Sequence, residues 1–160
     1  MGRHLPEGQG LSAPELPAPV FVVHTLAHAV AALEAAATLE RSVILSSAPD
    51  AGIYAGPGWF KALIDAVRAA VPAGRFTAIL DCGDDAGAAQ GALRAGIEAV
   101  VYIGRADVAD RLAAIAVEKG ARLLTERPAT GLDLGRWFFG DVATLRRKCA
   151  ACLASPGAIC

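Results

Sequence analysis

The sequence predicts an α/β protein built on a five-stranded, mainly parallel sheet with helices on both faces, a Rossmann- or flavodoxin-like three-layer arrangement. Half of a (βα)8 barrel is the alternative. Three observations carry this. Five short apolar runs, at 20–25, 42–47, 76–82, 99–104 and 122–126, read as strands. Their starts lie 22, 34, 23 and 23 residues apart, which leaves room for a crossover helix in each gap and so for parallel pairing. The runs are apolar at successive positions rather than alternating, so both faces of the sheet must be covered.

Residues 1–19 hold Pro6, Pro14, Pro17 and Pro19 with three glycines, and read as a flexible N-terminal arm; residues 20–160 read as a single α/β domain. After the first strand, 26–40 places Leu26, Val30, Leu33 and Ala37 on one helical stripe filled out with Ala. The second helix, 59–71, repeats Phe60, Leu63, Ile64 and Val67 at the same spacing and stops at Pro72. An Ala-rich helix over 84–95 is closed by Gly96, suited to a left-handed stop. Residues 107–119 turn Val108, Leu112, Ile115 and Ala116 inward, with Asp107 at the start and Gly120 after the end. The segment 134–153 reads as one or two terminal helices. Its Trp137, Phe138 and Phe139 cannot all face one core, so self-association into a homo-oligomer is expected.

Fifteen Lys and Arg stand against sixteen Asp and Glu, and 54% of the residues are hydrophobic. That excludes disorder as the overall class and argues against a nucleic-acid or membrane-surface partner. Every apolar run is broken well short of a membrane span. With no apolar h-region near the start, a cytoplasmic location with reduced thiols is expected.

In parallel α/β folds the carboxyl ends of the strands share one rim with the helix N-termini, where polar groups converge on ligands. The candidates are His24 on the first strand, Ser46 and Ser47 on the second, Asp81 and Cys82 on the third, Arg105 after the fourth and Glu126 on the fifth. Tyr54 joins them from the long loop 46–58. Asp84 or Asp85 is explained by helix capping and the helix dipole. Asp81 is not, because a carboxylate ending an apolar strand must either pair or become protonated, and it is a candidate acid or base. Cys82 beside it is a candidate thiolate nucleophile. His24 and His28 are spaced i, i+4, which alone does not make a metal site, and no metal is expected. Cys149, Cys152 and Cys160 have the outline of a thiolate site, but the CxxC falls late in a helical pattern, and burial or surface thiols account for it. No P-loop or dinucleotide fingerprint is present, and the sequence points to no particular cofactor.

From Val20 to Gly104 the chain resembles the N-terminal half of the class II, zinc-dependent fructose- and tagatose-bisphosphate aldolases. The resemblance rests on Ser42-Val43-Ile44-Leu45-Ser46-Ser47, Ala51-Gly52-Ile53-Tyr54-Ala55-Gly56, Ile79-Leu80-Asp81-Cys82-Gly83, and the run from Ala92 to Val101. In that family the third strand ends in His-Leu-Asp-His-Gly, whose Asp handles a proton and whose second His binds zinc. Asp81 keeps the Asp, whereas Cys82 replaces the zinc His and Ile79 the first His. The resemblance implies a related βα architecture, and the lost ligand argues against aldolase activity. Three functions follow: binding of a small polar or phosphorylated molecule at the strand ends; a lyase or isomerase using Asp81 for proton transfer; or a structural protein self-associating through its C-terminal helix.

Overall fold

The computed structural model describes residues 18–155; the N-terminal arm expected over 1–19, apart from its last two residues, and Cys160 lie outside them. In chain order the elements are β1 (Val20–Val22), α1 (Leu26–Thr38), β2 (Ser42–Ser46), α2 (Ala51–Tyr54), α3 (Pro57–Ala70), β3 (Arg75–Asp81), α4 (Ala86–Arg94), β4 (Ala99–Val101), α5 (Ala106–Glu118), β5 (Arg122–Leu124), β6 (Leu132–Asp133), a 3-10 turn (Leu134–Trp137) and α6 (Val142–Ala154). All five expected strands are present, and the sheet is parallel throughout. Its order is β5-β4-β3-β2-β1-β6, with the two-residue β6 as an unexpected sixth strand.

Local chemistry sets the element ends. Thr25 leaves the sheet in extended conformation and its side chain accepts the His28 N–H, which caps α1 and ends β1 sooner than expected. Asp85 caps α4 in the same way through the Ala88 N–H. Gly96 closes α4 at φ +81, with its N–H donating to the Leu93 carbonyl and that of Ile97 to the Ala92 carbonyl.

The strand order is sequential from β1 to β5, as in a barrel, rather than doubly wound. A short connection forces curvature on it. Between β5 and β6 run only residues 125–131, with no helix. In a flat sheet these edges would stand about 24 Å apart, and seven residues would cover that only at nearly full extension. The sheet therefore curls, and its inner face packs on itself: Val20, Ile44, Ile79, Ala99 and Val101 form one small buried cluster that includes no helical residue. The outward residues Phe21, Val23, Val43, Leu45, Leu80 and Val100 form the main core with the helices. The helices neighbour one another in the order α6, α1, α3, α4, α5, following the strands along that single face. Helices on both faces were expected; instead the curled sheet covers its own second face, as in the barrel alternative.

Candidate functional site

The register places the rim residues. Val22 pairs with Ser46 and with Asp133, and Ser46 with Ile79. Residues two apart on a strand share a face. His24, two beyond Val22, and Asp81, two beyond Ile79, therefore project from the inner face at one level, two strands or about 10 Å apart. Ser46 is buried between and below them.

Asp81 is only 3% exposed, and both its oxygens accept hydrogen bonds. Its Oδ1 accepts the backbone N–H groups of Gly83 (2.9 Å) and Asp50 (3.0 Å). Arg127 grips both oxygens, Nε donating to Oδ2 at 2.6 Å and Nη2 to Oδ1 at 3.1 Å. Burial pushes the Asp81 carboxyl up, but the Arg127 guanidinium and the two amides outweigh it and hold the group below the usual carboxylate range. The same Nη2 donates to Asp50 Oδ1 at 2.8 Å. Asp50 takes the left-handed conformation at φ 62 before α2, and Gly83 takes φ 52 beside it; a Cβ on Gly83 would collide with the Asp50 carboxylate.

Ser47 supports this centre, its Oγ accepting the Asp81 N–H at 2.9 Å and donating to the Ala48 carbonyl. Ser46 spends its hydroxyl on the Ser47 carbonyl. Tyr54 stands exposed on α2, its phenol pushed up by desolvation and by the charges of Asp50 and Asp81. Cys82 points the other way: it is fully buried, and a Cβ on Gly52 would lie 2.5 Å from its Sγ. Burial, then the charges of Asp81 and Asp85, push its thiol up to about 12, so it is a protonated core residue. Arg105 is exposed and pairs with Asp107 at the start of α5, and Glu126 is exposed in the bend after β5; neither joins the cluster. Cys149 is a buried free thiol, also pushed up to about 12 by desolvation, and Cys152 is buried but not a free thiol.

A second polar group occupies the rim at β1 and β6. His24 Nε2 lies 2.7 Å from Asp133 Oδ1, which also accepts the Gly135 N–H. Burial raises the Asp133 carboxyl, but the hydrogen bonds from His24 and the Gly135 N–H outweigh it and hold the group below the usual range. Beneath them the fully buried His28 accepts the His24 N–H on Nδ1, and its Nε2 finds no partner among the described residues. Desolvation and His24 depress its pKa and keep it neutral. The Phe138 ring lies edge-on to both imidazoles.

Sequence reasoning missed Arg127 and Asp133. A zinc ion does not fit this donor set: Cys82 faces away with its proton held tightly, His28 Nδ1 is engaged, and no group of three or more His, Cys, Asp or Glu among the described residues is arranged to hold a metal.

Fold and rim together define a parallel α/β protein whose curled sheet has a barrel-like outline. No protein-family model matches the sequence, and no curated protein does. Among solved structures, the chain is similar to a fructose-1,6-bisphosphate aldolase-like protein of Coccidioides immitis, at TM-score 0.54 and 17% identity over 66% of this chain and 44% of that one. It is also similar to a tagatose 6-phosphate kinase-like protein of Sinorhizobium meliloti, at TM-score 0.50 and 16% identity over 89% of this chain and 46% of that one. The chain thus spans less than half the length of either structure, and at these identities the likeness is one of fold alone.

Proposed function

We propose that the protein binds a small anionic molecule, such as a sugar phosphate, at the C-terminal ends of its strands, with Arg127 as the partner of the anion. The observation that carries this is the state of the guanidinium. Its Nε and Nη2 are committed to Asp81 and Asp50, while both N–H groups of Nη1 have no partner among the described residues, and the side chain is 39% exposed. An arginine fixed by a buried carboxylate presents its remaining donors in a set geometry, so little side-chain freedom is lost on binding. Asp50, half exposed, is the displaceable partner, and the anion takes its place on Nη2. The N-termini of α1, α3, α4 and α5 face the same rim and offset its carboxylates. The two solved structures named above are consistent with a phosphorylated ligand. In this reading Asp81 positions Arg127; its low basicity and burial do not suit it to proton transfer.

Calorimetric titration with inorganic phosphate and glycerol phosphate at low ionic strength tests the proposal. Saturable binding that is lost in Arg127→Gln and kept in Arg94→Gln, an exposed change at the other end of the molecule, supports it. Equal binding, or none, in all three proteins refutes it.

A further inference from the structure

The anion-binding reading leaves the His24–Asp133 pair without a role, yet its geometry is that of an oriented base. Asp133 is an ionised acceptor, so the His24 nitrogen facing it, Nε2, must carry the proton. That leaves the lone pair on Nδ1, which makes no hydrogen bond among the described residues and is not shut away from solvent. The ring is held from three sides: Asp133 on Nε2, the neutral His28 under the backbone N–H, and the edge of Phe138. Gly135 permits the approach, since a Cβ there would lie 2.7 Å from His24 Nε2. Because His28 is neutral, it places no cation against an imidazolium at His24.

We propose that His24, oriented by Asp133, is the proton acceptor of this rim and acts on a carbon acid of the anion held by Arg127, about two strand spacings away. The inference rests on the anion-binding reading. Asp81 is the carboxylate that the sequence offered for this task, but it is buried and bound to Arg127; the base with a lone pair on a partly exposed ring is His24, at Nδ1. A base and an anion anchor suffice for enolisation, which needs no second reactant. A C–H bond next to a carbonyl breaks, its electron pair moves through the C–C bond to the carbonyl oxygen, and Nδ1 takes the proton. The imidazolium so formed is stabilised by Asp133 and returns a proton to the same carbon as the electron pair falls back from the oxygen; nothing is oxidised or reduced. His24 is the catalytic residue in this scheme and Asp133 its positioning residue.

The test uses the whole protein in deuterium oxide with glycolaldehyde phosphate, a minimal molecule that joins a phosphate to an acidic C–H. Proton NMR follows exchange at that carbon, and calorimetry follows binding. The expected result is exchange above the buffer background that falls about 100-fold or more in His24→Gln, with binding kept within about threefold. Asp133→Asn should slow exchange roughly tenfold or more with binding kept, and Asp133→Glu, which restores a carboxylate, should recover part of that loss; a purely structural role would give no such rescue. Binding without exchange, or exchange undiminished in His24→Gln, overturns this inference and leaves anion binding standing. Absence of binding in the wild-type protein overturns both.

Discussion

Replacing Asp50 with Asn should tighten the binding of an anion, which is the reverse of what loss of an ordinary site residue does. Asp50 Oδ1 occupies Arg127 Nη2 at 2.8 Å, so an incoming anion must displace it and then lie beside its charge. The pair is half exposed, at 39% for the arginine and 52% for the aspartate, so releasing it costs about 0.2–1 kcal/mol. The like charge left about 5 Å from the bound anion adds roughly 0.8 kcal/mol at the dielectric constant of water. Together the two effects are about 1–2 kcal/mol, or about 5- to 30-fold in dissociation constant. Asn is suited to the left-handed backbone at φ 62 and keeps the N–H that bonds Asp81, so the fold should not suffer. Phosphate titration by calorimetry at low ionic strength measures the effect, and added salt should shrink it. Binding unchanged or weakened in Asp50→Asn would refute the displacement argument.

Other consequences concern stability and reactivity. Arg127→Ala removes the main partner of a buried carboxylate that keeps two backbone N–H bonds, and should cost about 2 kcal/mol, or about 4–8 °C in Tm. The Asp81 carboxyl is held below its unfolded value, so its contribution is full above the ordinary carboxylate range and is lost as pH falls below it. The wild-type advantage over Arg127→Ala should therefore narrow in acid, and a calorimetric difference that is constant from pH 7 to pH 3 would contradict this. Cys82, with its thiol pushed up to about 12, should resist iodoacetamide at pH 8 in the native protein; labelling at the rate of a free thiol would revive a nucleophilic role. Gly96→Ala places a Cβ at φ +81 with nothing within 4 Å, so backbone strain alone should cost about 1 kcal/mol, and an unaltered Tm would reject that stop.

The elements that local chemistry controls were legible in the sequence. Strand runs, a cap at Asp84 or Asp85, and the Gly96 and Gly120 stops each depend on a few neighbouring residues; the structure chooses Asp85 as the cap, keeps both stops, and has all five strands, each ending one to three residues before its run does. The curl of the sheet was not legible, because it depends on residues 125–131 crossing without a helix to a strand of only two residues, too short to leave a periodic signal. For the same reason Arg127 and Asp133 escaped notice: one lies in that crossing and the other at its end. A clue to Arg127 was present. The sequence required Asp81 to find a partner or a proton, and Arg127 stands before Pro128, which favours an extended backbone for it beyond the fifth strand. The pairing itself, across 46 positions, is a product of the fold.

The guanidinium of Arg127 can be observed directly. In a nitrogen-edited NMR titration with inorganic phosphate, the side-chain resonances of Arg127 should shift along a saturating curve, those of Arg94 should stay still, and the Asp50→Asn protein should saturate at lower phosphate. Shifts that rise linearly with phosphate, or that appear at Arg94 and not at Arg127, would contradict the account.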